Sequence, residues 1–194
     1  MQDCLSHIET ATLDSVSLIR RLQAEFHPNT TPVMKPVPCQ LYKLVSKAWH
    51  QALPRWKVAA IQPECEIHFG PDPTLIIDPS ILRQILVNLF ANSLYALEIR
   101  FFEQPESRPL IEVALDEREE YAILELKDHG TGMSPNVLEK CKESFFSTKG
   151  ERGSGLALHM VCRSIQNLGG AIEMTSTLGE GTSIFITLPK IGAQ

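Results

Sequence analysis

The chain has 194 residues, of which 43% are hydrophobic and 21% charged, with a formal net charge of -5. This length suits one α/β domain with a small appendage, and the composition is ordinary for a soluble globular protein. No apolar run approaches the roughly 18 residues of a spanning helix, and the start of the chain lacks the regions of a signal peptide. The negative charge gives no general reason to expect nucleic-acid binding. We therefore expect a cytoplasmic polypeptide with no nucleic-acid partner and no membrane contact by this segment.

Residues 1–27 predict an amphipathic helix. Apolar and small residues recur at alternating spacings of three and four from Leu5 to Phe26, which is a heptad seam. The seam fits pairing with another helix, and packing on the chain's own domain is the open alternative. Prolines then crowd residues 28–38, which predicts a linker. The remaining residues, 39–194, predict the main domain.

Helices and short apolar strands alternate through the main domain. Helices are predicted at about 41–52, 80–100, 134–143 and 155–168. Strands are predicted at 65–69, 74–78, 110–115 and 121–126 and in two segments around LGEG, with the last two pairs as hairpins. This order predicts an α+β fold: a two-layer α/β sandwich with a mixed sheet of about five strands, covered on one face by about three helices. An amino-terminal helix precedes it.

One predicted helix, RQILVNLFANSLYAL, carries two carboxamides among apolar residues. At about 100° per residue, Asn88, Asn92 and Tyr95 fall on one stripe beside the apolar face. A buried carboxamide is costly unless it is hydrogen-bonded, so two of them one turn apart indicate a shared polar ligand. The alternative is that both asparagines cap nearby backbone groups.

Two glycine-containing segments complete the pattern. The string DHGTGM at 128–133 follows a strand directly, so its carboxylate lies where α/β proteins usually bind ligands. An ordinary Asp-Gly turn is the alternative. The string GERGSG at 150–155 leads into a helix, whose free amides and dipole favour an anion, above all a phosphate. It is neither a Walker A loop nor a dinucleotide fingerprint.

Taken in order, the two asparagines, DHGTGM, FFSTK at 145–149, GSGLAL at 153–158 and GEGT at 179–182 resemble the ATP-binding domain of sensor histidine kinases. That domain belongs to a superfamily shared with gyrase, the heat-shock chaperone ATPases and the mismatch-repair ATPases. The resemblance covers about residues 41–190. The FFSTK string, followed closely by glycines, is most similar to the nitrogen-regulation subgroup of these kinases.

The resemblance implies a site for ATP and Mg²⁺. By this resemblance Asn92 would coordinate the metal, and Asn88 would support the metal and the phosphates. Asp128 would accept a hydrogen bond from the adenine amino group, and Thr182 would help position the same ring. Such roles suit Mg²⁺, which prefers oxygen ligands.

The phosphates would meet backbone amides after the glycine turn and positive charge from Lys149, with Arg152 as the weaker candidate. Residues 133–152 would form a nucleotide lid anchored by Phe145 and Phe146, for which simple core packing is the alternative. The nucleotide-binding set implied by the resemblance is Asn88, Asn92, Tyr95, Asp128, Gly130, Gly132, Met133, Ser147, Thr148, Lys149, Arg152, Gly153, Ser154, Gly155, Leu156 and Thr182. Within that set Asn88 and Lys149 are the catalytic residues and Asn92 is the metal ligand.

Some positions depart from the family pattern. Ala157 and His159 replace a glycine and a serine of the usual string, and Tyr95 stands where many relatives carry a basic residue. Superfamily members that hydrolyse ATP carry a glutamate one turn before the metal-binding asparagine. Here that place holds Asn88, which cannot act as a base at neutral pH, so transfer to a protein is favoured over hydrolysis.

The phosphoacceptor is the least defined part. His7 is the candidate acceptor on the amino-terminal helix, and Ile8 follows it where an acidic residue is usual. That helix is more similar to the second helix of a dimerisation hairpin. We therefore expect the γ-phosphoryl to go to a histidine on a dimerisation helix outside this chain, which is interpreted as a fragment of a longer kinase. A response regulator receiver domain and a second copy, paired through the amino-terminal helix, are the other expected partners.

Two other functions stay open at this point. One is a serine kinase of the related anti-sigma type, which the FFSTK lid and the heptad helix disfavour. The other is a nucleotide-responsive interaction module in which Tyr95 and Ala157 have abolished transfer.

Overall fold

A computed structural model describes residues 36–149 and 154–191. The predicted heptad helix with His7, the linker as far as residue 35, Arg152 and Gly153 lie outside the described residues. The helices and strands in chain order are β1 Val37–Gln40, α1 Leu41–Ala52, β2 Glu64–Phe69, β3 Thr74–Ile77, α2 Pro79–Glu103, β4 Leu110–Arg118, β5 Tyr121–Asp128, α3 Pro135–Lys140, α4 Ala157–Asn167, β6 Ala171–Thr177 and β7 Gly181–Pro189.

Five strands form one mixed sheet in the order β2, β4, β5, β7, β6. β2 runs parallel to β4, and the other neighbours are antiparallel. Burial alternates along β4, β5 and β7, so one face of the sheet is in the core and the other is exposed. The α+β fold with a five-stranded mixed sheet and the two predicted hairpins are therefore confirmed.

The three longer helices, α1, α2 and α4, contribute to one hydrophobic core with the inner face of the sheet. α2 begins cleanly because the Asp78 carboxylate accepts the Ser80 backbone N–H at 2.9 Å and Pro79 occupies the first turn. α1 packs against α2, and the Trp49 ring of α1 meets the Phe90 ring of α2 edge to face, with centroids 5.5 Å apart. A single apolar face was expected on α2. Burial instead extends around it, because α1 packs against it as well as α4 and β5.

α2 is also, within residues 36–149 and 154–191, the one helix long and apolar enough to cross a membrane by length and composition. The expectation from uninterrupted apolar runs missed it because scattered polar residues interrupt its apolar stretch. Half of that stretch is buried inside the domain, as in a core helix.

The predicted linker and the third predicted helix need correction. β1 begins at Val37, two residues before the expected domain start, and pairs antiparallel with β3 in a separate two-stranded sheet. Two prolines, at 36 and 38, had indicated a linker. An edge strand tolerates proline because it leaves one row of amides unpaired. The helix predicted to reach Glu143 ends at Lys140.

Candidate functional site

The carboxylate predicted for the adenine is buried at the end of β5. Asp128 is 4% exposed and accepts hydrogen bonds from the Ser93 hydroxyl at 2.9 Å and the Gly130 backbone N–H at 3.0 Å. Burial raises the pKa of Asp128, and the hydrogen bonds from Gly130, Ser93 and the Thr182 backbone oppose that shift. The β5–β7 register places Thr182 directly opposite. Two residues that the sequence assigned to one ring are therefore neighbours.

A serine that the sequence analysis did not single out connects this end of the site. The Ser176 hydroxyl donates to the Gly181 carbonyl at 2.8 Å, so its oxygen accepts the Met133 backbone N–H at 2.8 Å and the Thr182 hydroxyl at 2.9 Å. Because the Thr182 hydroxyl donates its proton to Ser176, its oxygen can only accept a hydrogen bond from a ligand. Ser176 is the penultimate residue of β6, where no motif marks it.

Gly132 is required by the protein itself and does not depend on a ligand. Its φ is +65°, and an added Cβ would lie 2.0 Å from the Thr177 carbonyl oxygen. Gly130 is also crowded, with a Cβ position 2.6 Å from the Ala96 Cβ. The DHGTGM string thus packs closely on α2 and β6, which fixes the backbone around Asp128.

The other end of the site is a lysine packed on α2. The Lys149 ammonium donates to the Asn92 side-chain oxygen at 2.7 Å and lies 4.5 Å from the centroid of the Tyr95 ring. Burial lowers the pKa of Lys149 to about 8; the positive charge of Arg55 lowers it as well, and Glu98 opposes both. The stripe predicted on α2 therefore meets a cation through Asn92 and Tyr95.

Asn88, the third member of that stripe, has a different environment. Its side chain is 6% exposed, and its oxygen accepts the Gln84 amide at 3.2 Å. The carboxamide is therefore satisfied inside the domain, one helical turn from Asn92.

Close backbone contacts join Phe145 to Gly155, just before α4. The Phe145 backbone N–H donates to the Gly155 carbonyl at 3.1 Å, and a Cβ on Gly155 would lie 2.3 Å from the Phe145 carbonyl carbon. Phe145 has a φ of +66° and is 67% exposed, so core packing is wrong for it. Leu156, in contrast, is buried ahead of α4.

The remaining predicted residues border this segment. The Ser147 hydroxyl accepts the Lys149 backbone N–H at 3.1 Å, and the Ser154 hydroxyl accepts the Leu156 N–H at 3.4 Å. Thr148 is exposed. Near the carboxylate, His129 pairs with Glu112 at 2.8 Å and lowers the pKa of Glu112.

α2 joins the two ends of the site. Consecutive residues, Asn92 and Ser93, contact Lys149 and Asp128 respectively. Farther along, Arg100 donates to the Gly130 carbonyl at 3.1 Å and to the Gly179 carbonyl. Sequence reasoning missed Ser93 as a polar partner and did not single out Arg100, because their partners are distant in the chain.

Cavity size does not identify this site. A surface cavity of about 430 Å³ lies beyond α1 around Trp56 and includes none of the predicted site residues. A smaller one, of about 200 Å³, is lined in part by Asp128 and Thr182. The candidate site is therefore defined by its converging polar groups.

The fold and the site agree with an ATP-binding domain. The fold is a mixed sheet with helices on one face, and the site has a buried carboxylate beside a glycine loop and an asparagine that contacts a cation. Residues 77–191 match the family described as "Histidine kinase-, DNA gyrase B-, and HSP90-like ATPase". That range is more than half of the chain, so the chain belongs to this family. The predicted family is confirmed, while the nitrogen-regulation subgroup stays a prediction.

The relatives include sensor proteins. The chain is 34% identical over 120 residues to the sensor protein SrrB of Staphylococcus aureus strains NCTC 8325 / PS 47 and COL. The match spans 58% of this chain and 19% of SrrB. Among solved structures, a mycobacterial sensor histidine kinase, MprB, has a TM-score of 0.65 over 82% of this chain and 100% of its own, at 23% identity. That likeness supports the fold.

Proposed function

We propose that this chain is the Mg-ATP-binding catalytic domain of a two-component sensor histidine kinase. It transfers the γ-phosphoryl to a histidine on a dimerisation helix outside this chain. The observation that carries the proposal is the contact of the Lys149 ammonium with the Asn92 oxygen, on the same helix whose Ser93 holds the buried Asp128. Asp128 recognises the adenine amino group, and Lys149 neutralises charge at the phosphates.

The residues fit a magnesium ion. Asn92 turns its neutral oxygen toward a positive charge, that of Lys149, and neutral oxygens are acceptable ligands for Mg²⁺. Among residues 36–149 and 154–191 no group of three or more His, Cys, Asp or Glu side chains could hold a metal ion. A metal here would therefore depend on Asn92 and the nucleotide oxygens. When bound, it neutralises phosphate charge.

Transfer is favoured over hydrolysis because no base lies at the expected place. Asn88 is buried and hydrogen-bonded by Gln84 one turn before Asn92. A carboxamide cannot deprotonate water at neutral pH. Phosphoryl transfer needs mainly positioning and charge neutralisation, which Lys149 and the amides before α4 supply.

Calorimetry with Asn92→Ala tests the metal and nucleotide roles together. Wild type is expected to bind ATP at useful affinity only with Mg²⁺, and Asn92→Ala to lose most of that binding. Asn92→Asp keeps an oxygen and should retain part of it. Asn167→Ala, an exposed asparagine on α4, is the matched control and should bind as wild type does. Unchanged Mg-ATP affinity in Asn92→Ala would contradict the assignment.

The partners follow from the same proposal. A dimerisation helix supplies the histidine, and a response regulator receiver domain accepts the phosphoryl group from it. A homodimer through residues 1–27 and a cytoplasmic location stay predictions. ATP binding without transfer to any supplied dimerisation helix would instead favour the nucleotide-responsive interaction module.

A further inference from the structure

Tyr95 and Asn92 together form a seat for the Lys149 ammonium. They lie three residues apart on α2 and so face the same side of the helix. The ammonium donates to the Asn92 oxygen at 2.7 Å, and the Tyr95 ring centroid is 4.5 Å away. A largely buried ammonium is costly without partners, and an aromatic face is one of the few apolar surfaces that attracts a cation.

We propose that Tyr95 is a positioning residue, whose ring seats Lys149 against Asn92 before the nucleotide binds. This inference rests on the proposed function. Tyr95 acts through Lys149 and contacts no reacting atom itself. A metal ion at the Asn92 oxygen would repel the ammonium, because both are positive. With a metal ion there, Lys149 would pair with phosphate oxygens instead, from a position that the ring has already set.

The backbone around Lys149 supports a fixed seat. The Lys149 N–H donates to the Ser147 hydroxyl at 3.1 Å, and the Phe145 N–H donates to the Gly155 carbonyl at 3.1 Å. These contacts restrain the backbone that leads to Lys149. The side chain therefore loses less conformational freedom when it binds the seat.

The first test needs no nucleotide. Hydrogen exchange of residues 141–149 is measured in wild type, Tyr95→Phe and Tyr95→Leu. Tyr95→Phe keeps the aromatic face and should exchange as wild type does, whereas Tyr95→Leu should exchange severalfold faster. Equal hydrogen exchange in Tyr95→Leu and wild type would overturn the positioning role of Tyr95. Thermal unfolding checks that each variant folds, and Tyr95→Met replaces the leucine variant should that one fail to fold.

The second test compares Mg-ATP with Mg-ADP by calorimetry. If the ring positions Lys149 for the terminal phosphate, Tyr95→Leu should lower the ratio of ATP to ADP affinity about three- to tenfold, the scale of one cation–π contact. Lys149→Met should lower the ratio at least as much, and the double variant should lose no more than Lys149→Met. Additive losses would mean that Tyr95 acts independently of Lys149 and would overturn the proposal.

The two measurements separate failure of the seat from failure of the proposed function. If wild type binds neither nucleotide, the ATP site is wrong, and a proposal resting on that site falls with it. If wild type binds Mg-ATP and the exchange of Tyr95→Leu is unchanged, only the positioning role falls.

Discussion

At the scale of single residues, the site holds groups that cost the fold stability. Asp128 is a buried carboxylate, and burial raises its pKa. Its hydrogen bonds from Ser93 and Gly130 offset only part of that cost. A residue retained against its own cost to stability is expected where a ligand uses it.

Asp128→Asn should therefore raise the free energy of unfolding near neutral pH, by about 1 kcal/mol, a usual size for single substitutions. The amide oxygen can still accept from Gly130, and the amide NH₂ can donate to the Ser93 oxygen. The same variant should lose the preference for ATP over GTP. Chemical denaturation and calorimetry measure the two effects.

The gain from Asp128→Asn should depend on pH. Below the ordinary Asp pKa of about 3.9, both folded and unfolded wild type hold the proton. As pH rises, the unfolded state ionises first, so wild type loses stability until the pH passes the raised pKa of folded Asp128. The difference between variant and wild type should thus be smaller at pH 4 than at pH 7.5. A variant that is less stable at both pH values would contradict this.

Gly132 allows a second comparison of single residues. Gly132→Ala places a Cβ 2.0 Å from the Thr177 carbonyl at a φ of +65°, whereas Gly179 has a φ of +86° and open space around it. Gly179→Ala should lower the free energy of unfolding by about 1–2 kcal/mol, the cost of a side chain in the left-handed backbone region. Gly132→Ala should lower it by about 1–3 kcal/mol more, because the backbone must move. Urea denaturation measures both, and equal losses would show that Gly132 is not needed for close packing.

At the scale of elements, α2 organises the site. Asn92 and Ser93 reach its two ends, and Arg100 ties the Gly130 and Gly179 carbonyls to the same helix. These carbonyls belong to the loop after β5 and the turn before β7. α2 therefore holds the loop after β5 and the turn before β7 in place near Asp128.

Removing the Arg100 contacts should weaken nucleotide binding, although Arg100 is not itself one of the predicted nucleotide-binding residues. Arg100→Met is expected to reduce Mg-ATP affinity about five- to tenfold, close to the 1 kcal/mol of one net hydrogen bond. Arg100→Lys should recover part of it, since an ammonium can reach one carbonyl. Arg163→Met on α4, an exposed arginine, serves as the control. Wild-type affinity in Arg100→Met would remove the tie from the site.

At the scale of the whole molecule, the proposed function separates the phosphoryl donor, ATP, from the acceptor histidine. The domain binds ATP, and the histidine lies outside this chain. Asn88 cannot activate water, and His7 has Ile8 where an acidic neighbour would help deprotonate an imidazole. The sequence therefore favours an acceptor supplied from elsewhere.

Incubation with γ-labelled ATP and Mg²⁺ should accordingly give negligible acid-labile label on the chain and slow hydrolysis. A dimerisation helix with a His-acidic pair, supplied in trans, should be labelled. Strong self-labelling that His7→Gln abolishes would reverse this expectation and make the chain a complete kinase.

Much of the fold followed from local pattern. Short apolar strings predicted β4, β5 and β7, and the charged string DEREE between the first two predicted a hairpin, which the pairing of β4 with β5 confirms. β1 was missed because Pro36 and Pro38 indicate a linker unless the strand is known to lie at an edge. The burial around α2 was also missed, because periodicity shows one face and cannot show how many neighbours a helix has.

The sequence by itself determined the elements other than β1, their order and the residue types of the site, because propensity, periodicity and glycine turns are local properties of the chain. Only the tertiary structure decided which groups meet. Lys149 and Asn92 are 57 residues apart, and Ser93 and Asp128 are 35 apart. Such contacts depend on how α2 packs against the sheet and on the backbone closure near Lys149. No local pattern specifies them, because the energy of each pair arises only when burial has brought both partners out of water.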